Sequence, residues 1–92
     1  MTPGAVLPAR EQLGDLLLEL RRPAEALPEY EGALSALPNR FNGHYGAGRA
    51  AELAGKRETA RAHYERLLAM AAGGDGSREE LAVARAFLGK TH

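Results

Sequence analysis

Laid over itself with a shift of 34 residues, the chain aligns Gly14 with Gly48, Ala26 with Ala60, Tyr30 with Tyr64 and Leu34 with Leu68. A self-match at a fixed period restricts the fold strongly. Each copy must be one supersecondary unit, and neighbouring units must stack to bury their apolar sides. The 92 residues hold about two such units and a remainder. The matched residues also make packing sense. A glycine in the first helix of a unit lets the second approach closely, and a tyrosine in the second fills the space between consecutive units.

The units are helical. Ala, Leu, Arg and Glu dominate, whereas β-branched residues are reduced to Val6, Val83 and three threonines, so strands have nothing to be made from. Residues 1–7 hold Pro and Gly without periodicity and read as a loose tail. A single helical domain is expected over 8–92, with repeats at about 7–40 and 41–74 and a closing helix at about 77–89. The first helix begins near Pro8, with Leu13, Leu16, Leu17 and Leu20 as its inward seam, the i, i+3, i+4, i+7 set of one helix face. Pro23 opens the second helix, whose seam is Ala26, Leu27, Tyr30, Ala33, Leu34 and Leu37. The third spans about Arg40 to Ala54 with a small-residue face at Ala47, Ala50, Ala51 and Ala54, and Gly55 ends it. The fourth covers about Lys56 to Ala72 with Ala60, Tyr64, Leu67, Leu68 and Ala71 inward, until the GGDG stretch. Ser77 and Glu80 form the capping box of a fifth that reaches about Leu88.

Pro28 is the one residue at odds with its own helix. It removes the hydrogen bond to the Ala24 carbonyl, at up to about 3 kcal/mol in a regular interior and less near an end. The reading preferred here is an irregular first turn or a bend on the exposed side, not a functional kink.

A 34-residue period of two helices resembles the tetratricopeptide repeat family. Its pattern of Leu-Gly, then alanine and an aromatic, then a small residue and a closing proline is carried by Leu13-Gly14, Ala26, Tyr30, Ala33 and Pro38. The second copy carries it at Ala47-Gly48, Ala60 and Tyr64, with Leu67 in place of a small residue and Ala72 in place of the proline. The large aromatic usual near the start of a repeat is absent from the first copy. The resemblance covers about residues 7–74 and implies an all-α fold, a right-handed superhelix of helix-turn-helix repeats with about five helices. It also implies a noncatalytic protein-interaction module whose first helices line a concave groove for a peptide or protein partner. Carried over residue by residue, the groove comprises Glu11, Asp15, Leu18 and Glu19 from the first helix, then Asn42, Tyr45, Arg49, Glu52 and Leu53 from the third. The fifth contributes Glu79, Val83 and Phe87. Glu11 and Asp15 stand where relatives that grip a C-terminal carboxylate carry lysine and asparagine, so a partner with basic and apolar residues suits the groove better. A solvated charged face is the plain alternative.

Other classes find little support in the residues. Twelve basic and twelve acidic side chains cancel, leaving no electrostatic case for nucleic acid or an anionic membrane. No apolar run approaches the roughly 18 residues of a membrane span, and the absence of cysteine fits a reducing, cytoplasmic setting. His44, His63 and His92 lack the spacing that puts two metal ligands on one helix face, and His63 reads as a surface residue. Gly43, Gly46 and Gly48 lie within a helix with no preceding strand, so they serve close packing and not phosphate binding. No nucleophile motif is present, and neither a cofactor nor a metal is expected. The competing function is structural. Two repeats fall short of the roughly three that make an independent solenoid core, so the chain would self-associate, as a homodimer or within a longer array, through Leu7, Phe41 and Phe87 at its ends.

Overall fold

The computed structural model describes residues 9–71 and 78–90, in which five α-helices and no strand occur. They are α1 (Ala9–Glu19), α2 (Pro23–Ala36), α3 (Phe41–Leu53), α4 (Arg57–Ala71) and α5 (Arg78–Lys90). The expected tail, the helix start at Pro8, the GGDG break, the capping box at Ser77, Ala72, Leu7 and His92 lie outside the described residues. No helix is long and apolar enough to cross a membrane among the described residues. Each helix packs against the next along the chain, and α3 also touches α1 on one side and α5 on the other.

Two tyrosines organise the core. Tyr30 on α2 and Tyr64 on α4 are both fully buried, and the first helix of each copy receives its tyrosine at a glycine. A methyl group on Gly14 would fall 2.9 Å from the Tyr30 ring, and one on Gly48 would fall 2.7 Å from Tyr64 Cε1. Tyr30 also lies against the next unit, where a methyl on Gly46 would come within 2.2 Å of its ring. Around these rings the core is built largely of alanine: Ala26 on α2, Ala47, Ala50 and Ala51 on α3, Ala60 on α4 and Ala84 on α5. Small side chains let the helices approach closely, and Tyr30, Tyr64 and Leu67 are the largest side chains buried completely among them.

The first helix does not bury the seam expected of it. Leu13, Leu16 and Leu20 are 41%, 49% and 56% exposed, and only Leu17 and Leu18 pack partly on the core. α1 docks instead through Gly14 and Glu11, both buried, because Tyr30 leaves room for nothing larger than glycine at the point of contact. The leucine face points away from α2. Leu37, also assigned inward, is 37% exposed.

The two copies are clasped at equivalent positions by different chemistry. Arg10 Nε donates to Glu29 Oε1 at 3.1 Å across α1 and α2. Thirty-four residues on, His44 and His63 meet across α3 and α4 with their Nδ1 atoms 3.1 Å apart. His63 is therefore a half-buried partner of His44 and not a surface residue.

Pro28 lies inside α2 and is exposed. Ala24, whose carbonyl loses a donor, is exposed as well, so water satisfies that oxygen and the cost of the proline is small. The first turn is doubly bonded at its start, with the amides of Glu25 and Ala26 donating to Arg22 O at 3.1 and 3.0 Å.

Candidate functional site

α1 and α3 lie side by side in contact, and their parallel periodicity brings side chains four residues apart onto a common open face. Between them is a hollow of about 390 Å³. Asp15, Leu18 and Glu19 line it from α1, and Asn42, Tyr45, Gly46 and Arg49 from α3. Tyr30 reaches it from α2 and Glu80 borders it from α5. Six residues expected in the groove thus come together: Asp15, Leu18, Glu19, Asn42, Tyr45 and Arg49.

The hollow is built on the tyrosine network. Tyr30 Oη donates to Asp15 Oδ1, which ties the acidic rim of α1 to the core. Burial raises the Tyr30 phenol well above its ordinary range, and the hydrogen bond to Asp15 adds to the rise, so Tyr30 is a fixed donor and not an acid. Tyr64 Oη donates to Glu52 Oε1 at 2.9 Å, and burial followed by the Glu52 bond raises that phenol in the same way. Arg49 lies with its guanidinium carbon 6.0 Å from the Tyr45 ring centre, at the outer limit of a cation–π contact. The surroundings of Leu18 and Tyr45 therefore carry three carboxylates, from Asp15, Glu19 and Glu80, against the single guanidinium of Arg49.

Other expected groove residues are elsewhere. Glu11 is buried, 5% exposed, and its Oε1 accepts from Arg40 Nη2 at 2.8 Å and Nε at 3.2 Å. It joins α1 to the segment before α3, and that guanidinium offsets only part of the cost of burying its charge, because Oε2 is buried without a hydrogen-bond partner. Phe87 is 5% exposed, with its ring centre 5.2 Å from that of Tyr64, so it is core and neither a groove nor an end contact. Phe41 is partly buried on the same core. Val83 packs partly on the core, Glu79 is exposed on α5, and Glu52 serves Tyr64. Leu53, 57% exposed, borders a second shallow hollow with Leu18, Arg21 and Pro23.

Sequence reasoning missed Tyr30 and Glu80 as lining residues, and it missed the histidine pair. His44 Nε2 lies 2.7 Å from Pro38 O, so it carries the proton and donates. His44 Nδ1 then accepts from His63 Nδ1. In the neutral ring His63 Nε2 then carries no proton, and it lies 3.6 Å from Glu31 Oε2. Burial, then the neighbouring His44, holds the His63 imidazole below its ordinary value, outweighing the pull of Glu31. Among the described residues no three His, Asp or Glu side chains converge as a metal ion requires. Comparison with known proteins yields no relative: no family model, no curated protein and no solved structure matches the chain.

Proposed function

We propose that this chain is a noncatalytic protein-interaction module of the tetratricopeptide repeat kind. Its hollow between α1 and α3 takes a peptide or protein segment carrying basic and apolar residues. The 34-residue self-match supports the repeat reading, as does the use of Gly14 and Gly48 to receive Tyr30 and Tyr64. The contact order, with α3 touching both α1 and α5 and each helix against its successor, supports a stack of helical hairpins. A cytoplasmic setting accords with the lack of cysteine.

One observation carries the choice of partner. The hollow sets Asp15 and Glu19 beside Leu18 and Tyr45, which suits a cationic segment with an apolar anchor. The rigid tyrosine network beneath it keeps the ordering cost of binding low.

The test is a titration with a labelled twelve-residue peptide that places leucine and lysine at helical spacing. Glu19→Lys combined with Tyr45→Ala should weaken binding at least tenfold with helicity unchanged, and raised salt should weaken the wild type. Equal affinity for wild type and double variant rejects the assignment.

A further inference from the structure

Among the described residues, Arg21 is the one residue other than glycine with a positive φ, 63°. An L side chain in that conformation brings its Cβ against a carbonyl oxygen. Glycine avoids the conflict, as Gly55 does with φ 82° at the same place in the second copy. The first copy therefore holds a strained arginine where the second shows that glycine suffices. Nothing inside the molecule offsets that strain, because the exposed Arg21 side chain makes no hydrogen bond or ion pair among the described residues. Residues held in such conformations concentrate at binding sites and clamps.

Arg21 is the one charged residue lining the shallow hollow that it shares with Leu18, Pro23 and Leu53. Leu18 also lines the hollow between α1 and α3, so the two hollows adjoin at that side chain. Along α1 and its final turn the surface changes character. Asp15 and Glu19 line the first hollow, Leu18 and the exposed Leu53 form an apolar junction, and Arg21 stands in the second.

We propose that Arg21 reads a carboxylate on the same partner segment, so that the segment is recognised in one direction. This recognition rests on the peptide reading of the hollow between α1 and α3, and adds to that site a residue and an orientation. A helical segment lying antiparallel to α1 presents, in its own sequence order, a glutamate to Arg21, a leucine to Leu18 and Leu53, and a lysine to Asp15 and Glu19. Spacings of i, i+4 and i+7 put all three on one face of the segment. The same order places the acidic residue towards the segment's N-terminus and the basic one towards its C-terminus, where each is favoured by the helix dipole.

Three twelve-residue peptides, titrated by fluorescence anisotropy against the full chain in low salt, test it. The first carries glutamate, leucine and lysine at i, i+4 and i+7, the second has glutamine for the glutamate, and the third carries the three residues in reverse order. The glutamate peptide should bind the wild type about threefold more tightly than the glutamine peptide, the size of an exposed ion pair. Arg21→Gln should abolish that difference and bind the glutamine peptide as the wild type does, and its thermal midpoint should stay unchanged because the left-handed residue still carries a Cβ. A preference for glutamate that survives in Arg21→Gln belongs to the peptide's own helicity and overturns the proposal. A reversed peptide that binds as tightly as the forward one overturns it too. Equal affinity for the glutamate and glutamine peptides overturns it while leaving the hollow between α1 and α3 as a site for leucine and lysine. If none of the three binds at millimolar concentration, the peptide reading falls with it.

Discussion

Arg21 and Gly55 occupy the same place in the two copies, and substituting each isolates the cost of a left-handed backbone. At the end of α1, Arg21 has φ 63°, its amide donates to Leu18 O at 3.0 Å, and the Arg22 amide donates to Leu17 O at 2.8 Å. At the end of α3, Gly55 has φ 82°, its amide donates to Glu52 O at 3.2 Å, and the Lys56 amide donates to Ala51 O at 2.8 Å. Both ends are the same paired terminator, whose turning residue adopts positive φ. Only glycine does so without bringing Cβ against a carbonyl oxygen, a conflict of about 1–2 kcal/mol. A methyl on Gly55 would have no neighbour within 4 Å, so the backbone strain is the whole effect of adding one. Arg21→Gly should therefore stabilise the fold by about 1 kcal/mol, and Gly55→Ala should destabilise it by about the same amount. The double variant should return close to the wild type, because the sites share no partner. In a domain of this size each change moves Tm by roughly 4–8 °C, in opposite directions. Urea and thermal unfolding followed by far-UV circular dichroism measure both. A lower midpoint for Arg21→Gly, or an unchanged one for Gly55→Ala, would refute the reasoning.

Two further outcomes follow from the core and the histidine clasp. Gly46→Ala would place a methyl 2.2 Å from the fully buried Tyr30 ring, so α2 and α3 must separate, and a loss of about 2–3 kcal/mol is expected in urea melts. An unchanged midpoint would mean that Tyr30 does not pack there. The folded state holds His63 below its ordinary 6.5, so protons favour the unfolded chain. This stability is full above about pH 6.5 and declines below it, at no more than about 1.4 kcal/mol per pH unit, until the lowered folded value is reached. His63→Gln supplies a donor to His44 without titrating and should flatten that slope in acid melts, whereas the same slope in the variant would assign it to other groups.

Much of the fold was legible because helix period and repeat period agree. The alanine and tyrosine positions of α2 and α4 follow both, and the structure buries Ala26, Tyr30, Ala60 and Tyr64 completely. α1 was misread for a physical reason. Leucines at i, i+3, i+4 and i+7 announce an apolar face, but spacing does not say whether a neighbour is present to cover it, and no described helix covers Leu13, Leu16 and Leu20. The buried face of α1 carried a weaker signal, a glycine opposite a tyrosine. Glu11 was read as exposed because its neutralising partner, Arg40, is 29 residues away. The residues of α1 and α3 that line the hollow were accessible to sequence because they share one helical face, whereas Phe87 was not, since its burial depends on how α5 lies across Tyr64. The histidine pair escaped a search for ligands on a single helix. A signal did exist: His44 and His63 lie 34 residues beyond Arg10 and Glu29, and either pair reveals the other as a clasp.

Whether the hollow between α1 and α3 takes a cationic and apolar segment is read most directly by amide chemical-shift mapping of the ¹⁵N-labelled chain, titrated with the leucine–lysine peptide. Shifts should saturate and concentrate at Asp15, Leu18, Asn42, Tyr45 and Arg49, with the exposed faces of α2 and α4 unmoved. Saturating shifts on α2 and α4, or none at millimolar peptide, would contradict the account.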